Sequence, residues 1–294
     1  MLKLVKIHHK KIIGGITLLL FSANYLLWSQ IFAISKKPDL EVYFFDVGQG
    51  DAELISTKDG TQILIDGGPS NKILSNLGAV LPYYDDSLDL IVLTHPHADH
   101  VSGLMEVLDR YKVAQVIESG ALYSTAEAIQ FEKILKEKNI KKIVADRPLK
   151  LTFYNGAEFN IIYPDESFSG EFLKNVHDSA VVGELSYENK KILFMSDAEK
   201  KLERKLVDSG KIDDVDVLKV GHHGSKTSSN EFFLRVVRPE YAIISSGARN
   251  RYGHPHTEVL SRLASVGATI LRTDLDGTIK VEIKNGNLSI TKTK

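Results

Sequence analysis

The chain has 294 residues, of which 43% are hydrophobic and 26% are charged, values typical of a folded protein. It contains no cysteine, which excludes disulfides, a thiolate nucleophile and cysteine metal ligands. The first 37 residues contain six lysines and no acidic residue, so residues 38–294 carry 31 basic against 38 acidic residues, a net charge of −7. A domain with this charge is not an obvious nucleic-acid binder, because phosphate contacts depend on Lys and Arg.

Residues 12–35 form one uncharged, apolar run with four lysines before it and two after it. At about 1.5 Å per residue, a helix of this length can cross the roughly 30 Å hydrocarbon core of a membrane. The lysine bias favours a cytoplasmic N-terminus. We therefore expect residues 1–37 to anchor an extracytoplasmic domain, residues 38–294. Two alternatives are a cleaved signal peptide that releases a secreted domain, and a buried helix of the globular domain.

Strands and helices alternate along the rest of the chain. In chain order the patterns predict strand 41–47, a hairpin of 51–57 and 61–68, a helix after Asn71, strand 88–94, helix 101–111, strand 113–119, helix 125–138 and strand 140–146. Beyond a β-rich region from residue 150, they predict helices near 199–209, 229–237 and 256–266, strands 215–220, 241–246 and 268–273, and a closing hairpin that turns at Asn285-Gly286. This order predicts a single α+β domain of packed sheets with helices outside.

The loop LTHPHADH (93–100) follows a predicted strand and precedes a predicted helix. It contains His95, His97, Asp99 and His100 within six positions. Imidazole and carboxylate groups are ligands for Zn, Mn or Fe, and two such metals about 3.5–4 Å apart form a hydrolytic centre. The density of ligands predicts a metal site, and four side chains are too few to complete two sites.

Candidate ligands occur at three places downstream, each beside a predicted strand. These are His177 with Asp178, Asp197, and the pair His222 and His223. Each place is ambiguous when taken by itself; Asp197, for example, fits a helix N-cap as well as a ligand. Together with the first loop they predict one constellation.

With these candidate ligands in order, the sequence resembles a known family, the metallo-β-lactamase fold hydrolases. Within that family it is similar to the extracellular metallo-β-lactamase-like domain of ComEC, the competence DNA-uptake channel. The resemblance is carried, in order, by FDVGQGDA (45–52), LIDGG (64–68), LTHPHADHVSGL (93–104), DSAVV (178–182), ILFMSDAE (192–199), VLKVGHHGSKTSS (217–229) and NRYGHPH (250–256). It implies a four-layer αββα sandwich with the metals at the edges of the sheets.

The resemblance also implies a ligand set for two divalent ions, Zn or Mn. His95, His97 and His177 would bind the first ion; Asp99, His100 and one histidine of the 222–223 pair would bind the second. Asp197 would bridge the two. We prefer His222, because the family ligand directly follows a strand and a glycine. Asp178 is the alternative to His177.

Further roles are expected around this set. Asp66 would orient a ligand histidine, and Asp46, Asp51 and Asp178 would support the site. Asp99, Asp197 and His254 are the predicted catalytic residues, with Asp197 positioning the attacking hydroxide and His254 contacting the phosphate or protonating the leaving oxygen. The predicted substrate-binding residues are His223, Ser225, Lys226, Ser228 and His254.

From the resemblance we expect a phosphodiesterase that acts on single-stranded DNA, and from the apolar run we expect it to be tethered to a membrane. The sequence contains one long apolar run, whereas ComEC proteins carry many, so DNA uptake would require a separate channel chain. Two alternatives stay open: a carbonyl hydrolase of the lactonase or β-lactamase type on the same fold, and a tethered binding module without turnover. Parallel assays on phosphodiester and β-lactam substrates separate the enzyme classes.

Overall fold

The computed structural model describes residues 14–29 and 38–294. The chain divides into two compact units, Met1–Pro38 and Asp39–Lys294. Residues 14–29 are helical, and we label this helix α1. The predicted apolar anchor, 12–35, extends outside the described residues at both of its ends. Among the helices of the described ranges, none has both the length and the apolar character that a membrane span requires.

The elements of the second unit alternate much as the sequence predicts. In chain order they are β1 (Leu40–Phe44), β2 (Glu53–Thr57), β3 (Gln62–Ile65), α2 (Lys72–Val80), β4 (Ser87–Leu88), β5 (Leu90–Val92), α3 (Ala98–Arg110), β6 (Lys112–Val113), β7 (Gln115–Glu118), α4 (Ala126–Glu137), β8 (Lys141–Val144), β9 (Leu149–Thr152), β10 (Glu158–Tyr163), β11 (Val182–Tyr187), β12 (Lys190–Phe194), α5 (Lys200–Asp208), β13 (Val217–Lys219), α6 (Glu231–Val237), β14 (Tyr241–Ile244), α7 (Thr257–Ser265), β15 (Thr269–Arg272), α8 (Thr273–Asp276), β16 (Ile279–Lys284) and β17 (Asn287–Lys292). Two 3₁₀ helices, Val176–Ser179 and Gly221–Gly224, were not predicted.

The strands form two large sheets. The first has the order β17-β16-β1-β2-β3-β5-β7-β8, the second β15-β14-β13-β12-β11-β10-β9, and β4 pairs with β6 in a small separate sheet. In the first sheet β3, β5, β7 and β8 run parallel, and in the second β12 to β15 run parallel. The remaining pairs of these two sheets are antiparallel, and they include the predicted β16–β17 hairpin with its turn at Asn285.

Three apolar cores separate four layers. Between the sheets, side chains that alternate along the strands interdigitate; Phe44 of β1 stacks on Phe194 of β12 with ring centroids 5.9 Å apart. A second core packs α2, α3 and α4 against the first sheet, and a third packs α5, α6 and α7 against the second. The predicted αββα sandwich is therefore confirmed.

The sandwich brings strand ends together. In parallel strands the carboxyl ends lie at one edge, where loops can present ligands. β5 leads into the His95 loop, β12 leads to Asp197, and β13 leads to the histidine pair. Strands from both sheets thus deliver polar side chains to a common edge.

Candidate metal centre

The loop after β5 and the first turn of α3 share the first four candidate ligands. Sequence periodicity placed the start of α3 at Val101, but the helix begins at Ala98, and His97 is its N-cap residue. Asp99 and His100 are therefore on a helix and not in a loop. The carboxylate of Asp99 lies in the first turn, where the helix dipole favours a negative charge.

The first ligand group combines His95, His97, His177 and Asp197, whose donor atoms all lie within 4.8 Å of one another. His97 Nδ1 lies 3.1 Å from His95 Nε2 and 3.2 Å from His177 Nε2. Oδ2 of Asp197 lies 3.6 Å from His95 Nε2 and 3.7 Å from His177 Nε2. Four donors at this spacing could be satisfied by a single cation at their centre.

The 3₁₀ helix before β11 places His177, and not Asp178, beside the other donors of the first ligand group. The side chain of Asn175 accepts a hydrogen bond from the His177 backbone N–H and fixes the start of this turn. The His177 ring then faces His97, while the Asp178 carboxylate points outward and accepts a hydrogen bond from Lys201 at 2.5 Å. Asp178 contributes no side-chain contact to the ligand group among the described residues.

The second ligand group combines Asp99, His100 and His223. His223 Nε2 lies 3.2 Å from Asp99 Oδ2. The second carboxylate oxygen of Asp197, Oδ1, lies 3.6 Å from both His100 Nε2 and His223 Nε2. Asp197 therefore faces the first group with one oxygen and the second group with the other. It is not a helix N-cap, because α5 starts at Lys200 and its N-cap residue is Glu199.

The structure groups His223, and not His222, with Asp99 and His100. Both residues adopt left-handed backbone conformations, with φ of 48° and 53°, immediately after β13. This left-handed pair buries His223, which is 2% exposed, and leaves the side chain of His222 21% exposed at the rim. His222 Nδ1 lies 3.3 Å from Glu199 Oε1, in a third group with His177. The preference for His222 as ligand of the second ion is thus not supported.

Asp66 holds His100 from below the site. Its buried carboxylate accepts hydrogen bonds from the backbone N–H and the hydroxyl of Thr94, at 2.9 and 2.6 Å, and lies 2.7 Å from His100 Nδ1. This fixes the ring so that Nε2 faces Asp197, as a partner to a metal-ligand histidine does. The sequence motif LIDGG places Asp66 at the end of β3, where it adopts a positive φ of 54°.

Asp51 holds His223 in a comparable way. His223 Nδ1 donates to the Ser245 carbonyl oxygen at 3.1 Å, and Asp51 Oδ1 lies 3.1 Å from the same nitrogen. Lys219 donates to the other oxygen of Asp51 at 2.6 Å. Asp46, expected in a similar role, instead pairs with Lys72 and Lys294 and touches none of the candidate ligands in the described part of the chain.

The predicted substrate-binding serines are corrected. Ser228 is fully buried and donates to the carbonyl oxygens of Gly221 and Ser225 at 2.7 and 3.0 Å. The hydroxyls of Ser225 and Thr227 form a hydrogen bond of 3.0 Å. Both hydroxyls stabilise the loop that presents the histidine pair, and Ser228 is too deeply buried to meet a substrate. Lys226 is exposed, as a phosphate contact requires.

His254 lies at the open side of the centre. Its ring centroid is 5.7 Å from that of His222 and 6.3 Å from that of His223, and its Nδ1 has no hydrogen-bond partner among the described residues. Burial, followed by the neighbouring His223 and His222, lowers the pKa of His254 to about 4. Its imidazole is therefore neutral near pH 7.

The electrostatics separate the two groups. Burial and the neighbouring His100 hold the pKa of His95 well below its usual range. Burial opposes the charge of His100, but Asp197, Asp66 and Asp99 outweigh it and raise the pKa of His100 well above its usual range. Burial also opposes the charge of Asp197, yet His223 and His100 hold the pKa of its carboxyl far below normal. The side chains at the centre thus keep Asp197 as a carboxylate.

These side chains fit divalent metal ions. His100 Nε2 and Asp197 Oδ1 are buried and have no hydrogen-bond partner among the described residues, which is costly unless another group binds them. All the donors are imidazole nitrogens or carboxylate oxygens, a set that suits Zn and Mn. Every histidine after residue 38 lies in or next to the cluster, including His256, whose ring lies 5.0 Å from that of His254.

Sequence reasoning missed two polar contributors. Glu199 contacts His222 Nδ1 and accepts hydrogen bonds from Asn175 and Thr227, at 3.2 and 2.8 Å. It follows Asp197 by two residues, a spacing that was available from the sequence. Lys219 is a single charged residue inside the apolar strand VLKV, a pattern that signals a buried partner.

The fold and the clustered ligands define a class. Residues 45–248 match the model of the metallo-beta-lactamase superfamily, and the chain belongs to this family. Among curated relatives, it is 31% identical to Recombination protein 2 of Haemophilus influenzae over 95% of this chain and 29% identical to ComE operon protein 3 of Bacillus subtilis over 83%. The chain spans about a third of each relative, 33% in both cases. The resemblance to the ComEC family is thereby confirmed.

Solved structures agree with the fold assignment. The crystal structure of CmlA, a diiron beta-hydroxylase from Streptomyces venezuelae, matches with a TM-score of 0.54 and 16% identity, covering 84% of this chain and 54% of that one. Igni18, a metallo hydrolase from Ignicoccus hospitalis, matches with a TM-score of 0.51 and 15% identity, covering 87% and 99%. At these identities the likeness shows the fold alone.

Proposed function

We propose that the chain is a metal-dependent phosphodiesterase that cleaves DNA, with single-stranded DNA as its substrate. The observation that carries this proposal is the position of Asp197, one carboxylate shared by two groups of nitrogen and oxygen ligands. Two-metal centres of this composition serve hydrolytic reactions. DNA is inferred from the competence and recombination relatives, and their similarity supports phosphodiesters over other hydrolysable bonds.

In this proposal His95, His97 and His177 would hold the first divalent ion, and Asp99, His100 and His223 would hold the second, with Asp197 as a shared ligand. Zn or Mn bound there would supply Lewis-acid activation of the phosphate and hydroxide near neutral pH. Asp66 and Asp51 keep the rings of His100 and His223 in place, so that their Nε2 atoms stay directed at the centre.

The remaining residues act on the substrate. Asp197 stays ionised, so it orients the attacking group and is a poor proton acceptor at neutral pH. His254 is neutral and half-exposed, which suits hydrogen-bond donation to a phosphate oxygen. With a pKa of about 4 it is a weak candidate for protonating the leaving oxygen, the other role expected for it. Lys226 adds a positive charge at the rim.

We also propose that the domain acts outside the cytoplasm, tethered through the apolar segment 12–35 and working with a separate DNA-uptake channel chain. The support for this is the lysine bias around that segment and the similarity to competence proteins. Protease digestion of intact cells compared with lysed cells tests the location. If the outer layer of the cells admits the protease and the domain is still not digested until the cells are lysed, the extracytoplasmic location is contradicted.

The activity is tested with the purified full chain and labelled single-stranded DNA, in Mn, in Zn and in a chelator. Cleavage is expected with at least one metal and is expected to disappear in the chelator and in Asp197→Ala. Asp208→Ala, which removes an exposed carboxylate from α5, is the matched control and should cleave normally. Hydrolysis of a lactone or a cephalosporin without phosphodiester cleavage would support the carbonyl hydrolase instead. Metal binding without any turnover would support the binding module.

A further inference from the structure

A cavity of about 600 Å³ opens directly beside the candidate metal centre. It lies between the end of β7, the loop 119–125 and one face of α4, and His95 and Pro96 form the wall nearest the metal ligands. The lining is mainly apolar: Leu122, Tyr123, Ile129, Phe131 and Phe172. Its volume is in the range of small-ligand sites, which are typically about 300–1,000 Å³.

The mouth of the cavity is a fixed aromatic and aliphatic rim. The Leu122 backbone N–H donates to the Glu171 carbonyl oxygen at 2.8 Å, and Leu122 and Phe172 form a parallel β-bridge. This bridge ties the loop after β7 to the loop that precedes His177. Phe172 is nevertheless 71% exposed and Ile129 is 59% exposed. Large apolar side chains gathered around one opening indicate a surface that binds a ligand.

Tyr123 connects the cavity to the metal ligands. Its ring centroid lies 5.3 Å from that of His97, and His97 belongs to the first ligand group. A molecule held against that group therefore has only to extend past Tyr123 to enter the cavity. The cavity is thus placed for the part of a substrate that is adjacent to the bond being cleaved.

The α4 side of the cavity carries three lysines and three glutamates, and the ion pairs among them leave one lysine unpaired. Lys142 lies 3.0 Å from the Glu118 carboxyl and 2.9 Å from that of Glu132, and Lys133 pairs with Glu137 at 3.7 Å. Lys136 lines the same wall and forms no ion pair within the described residues. An aromatic rim with a nearby free cation is the combination that single-stranded nucleic acid binds, with bases stacked on rings and the backbone near lysine.

We propose that this cavity is a nucleobase subsite, in which a base next to the scissile phosphate stacks against Tyr123 and Phe172 while the backbone passes Lys136. The inference rests on the proposed phosphodiesterase function and sharpens it. A base can enter such a cavity only when it is unpaired, because a duplex keeps its bases stacked inside. The subsite therefore explains a preference for single-stranded DNA by the shape of the protein.

Binding is tested without catalysis, on the full chain in a chelator, with a short single-stranded oligonucleotide that contains 2-aminopurine. Stacking on Tyr123 and Phe172 is expected to quench the 2-aminopurine fluorescence. Tyr123→Ala and Phe172→Ala should each raise the Kd about tenfold and lose most of the quenching. Phe172→Trp should retain both. Tyr154→Ala is the control. Tyr154 is 95% exposed in the turn before β10 and does not line the cavity.

Cleavage supplies the second readout, with Mn or Zn present. For single-stranded DNA, Tyr123→Ala and Phe172→Ala should raise KM about tenfold with little change in kcat. Oligonucleotides that are abasic around the cleavage position should lose this difference between variants and wild type. Equal Kd, quenching and KM for wild type and both variants would overturn the subsite while leaving the phosphodiesterase intact. A wild type that cleaves no DNA but still shows variant-sensitive quenching would overturn the activity and leave the subsite.

Discussion

Lys219 Nζ lies 2.6 Å from Asp51 Oδ2, and both side chains are 1% exposed. Burial works against both charges, yet each partner keeps the other ionised: the pKa of Lys219 is raised and the pKa of Asp51 is lowered. Lys219 belongs to the second sheet, on β13, and Asp51 precedes β2 in the first. The pair therefore links the two sheets, and its Asp51 carboxylate also contacts His223.

Removing the cation from this pair should be strongly destabilising. Lys219→Met would leave Asp51 buried without its partner, and breaking a buried ion pair in this way typically costs about 3–5 kcal/mol. Glu53, whose carboxyl lies 3.8 Å from Lys219, would lose the same neighbouring cation. Urea unfolding in a chelator measures the loss. Lys112→Met is the control, because Lys112 and Asp86 are an exposed pair at 2.8 Å whose loss should change the stability little. Equal losses in the two variants would contradict this role of Lys219.

The exchanged roles of the histidine pair predict different metal contents. His223→Ala removes a donor from the group with Asp99 and His100, so the purified variant should retain about one metal ion per chain where the wild type retains about two. His222→Ala should keep both ions, since His222 lies at the rim beside Glu199. Elemental analysis after dialysis measures the ratio. Loss of an ion from His222→Ala but not from His223→Ala would restore the original assignment.

Metal binding should stabilise the folded chain through Asp197. A ligand that binds only the folded state at about 100 times its Kd adds about 2.7 kcal/mol. The wild type should therefore melt several degrees higher with Mn or Zn than in a chelator. Asp197→Ala should lose most of this shift, because both groups lose a donor at once, whereas Asp208→Ala should keep it. Differential scanning calorimetry provides the test; an equal shift in Asp197→Ala would exclude a shared ligand.

Much of the fold could be read from periodicity. Strands such as β1 and β16 alternate buried and half-buried residues, and α3 and α4 place apolar residues at helical spacing. The start of α3 was missed because Asp99 and His100 are polar on the side that faces the metal centre. A helix whose first turn carries ligands does not show apolar periodicity there.

The residue types of the site could be predicted from the sequence, but the orientations of the individual side chains could not. The density of His and Asp located the centre, but the choice between His222 and His223 depends on two left-handed backbone conformations that no pattern signals. Such conformations are uncommon for residues other than glycine and cluster at functional sites. Likewise, the buried positions of Ser225 and Ser228 follow from how their loop packs, which the polar sequence GSKTSS does not reveal.

A substitution at Gly50 tests how closely the DVGQGD loop packs against the first turn of α3, which carries Asp99. A Cβ added at Gly50 would lie 2.2 Å from the Asp99 carbonyl oxygen, and its φ is +145°. Gly156, with φ of +86°, has open space around the same position, so Gly156→Ala should cost only the backbone term, about 1–2 kcal/mol. Gly50→Ala should cost clearly more and should also weaken metal binding, since Asp99 must move. Unfolding free energies and metal titrations of both variants check this; similar values for the two would refute the close packing.

Glu118, at the end of β7, gives the protein a pH-dependent stability. It is 8% exposed, and burial followed by Glu132 raises the pKa of its carboxyl to about 7, against the opposing effect of Lys142. Because the folded chain then holds this proton more tightly than the unfolded chain, the group's favourable contribution is complete below about pH 4.5 and is lost as the pH rises to about 7.

Glu118→Gln keeps the shape of the side chain and removes its ionisation. Relative to wild type, the variant should therefore gain stability as the pH rises from about 4.5 to about 7, by on the order of 3 kcal/mol at most, and the difference should stay constant above that range. Urea unfolding in a chelator, in small pH steps across this window, measures it. Glu106→Gln, on the exposed face of α3, controls for the loss of one carboxylate charge. A Glu118→Gln difference that does not change with pH would mean that Lys142 keeps this carboxyl ionised throughout, because only a proton taken up by Glu118 itself can produce the slope.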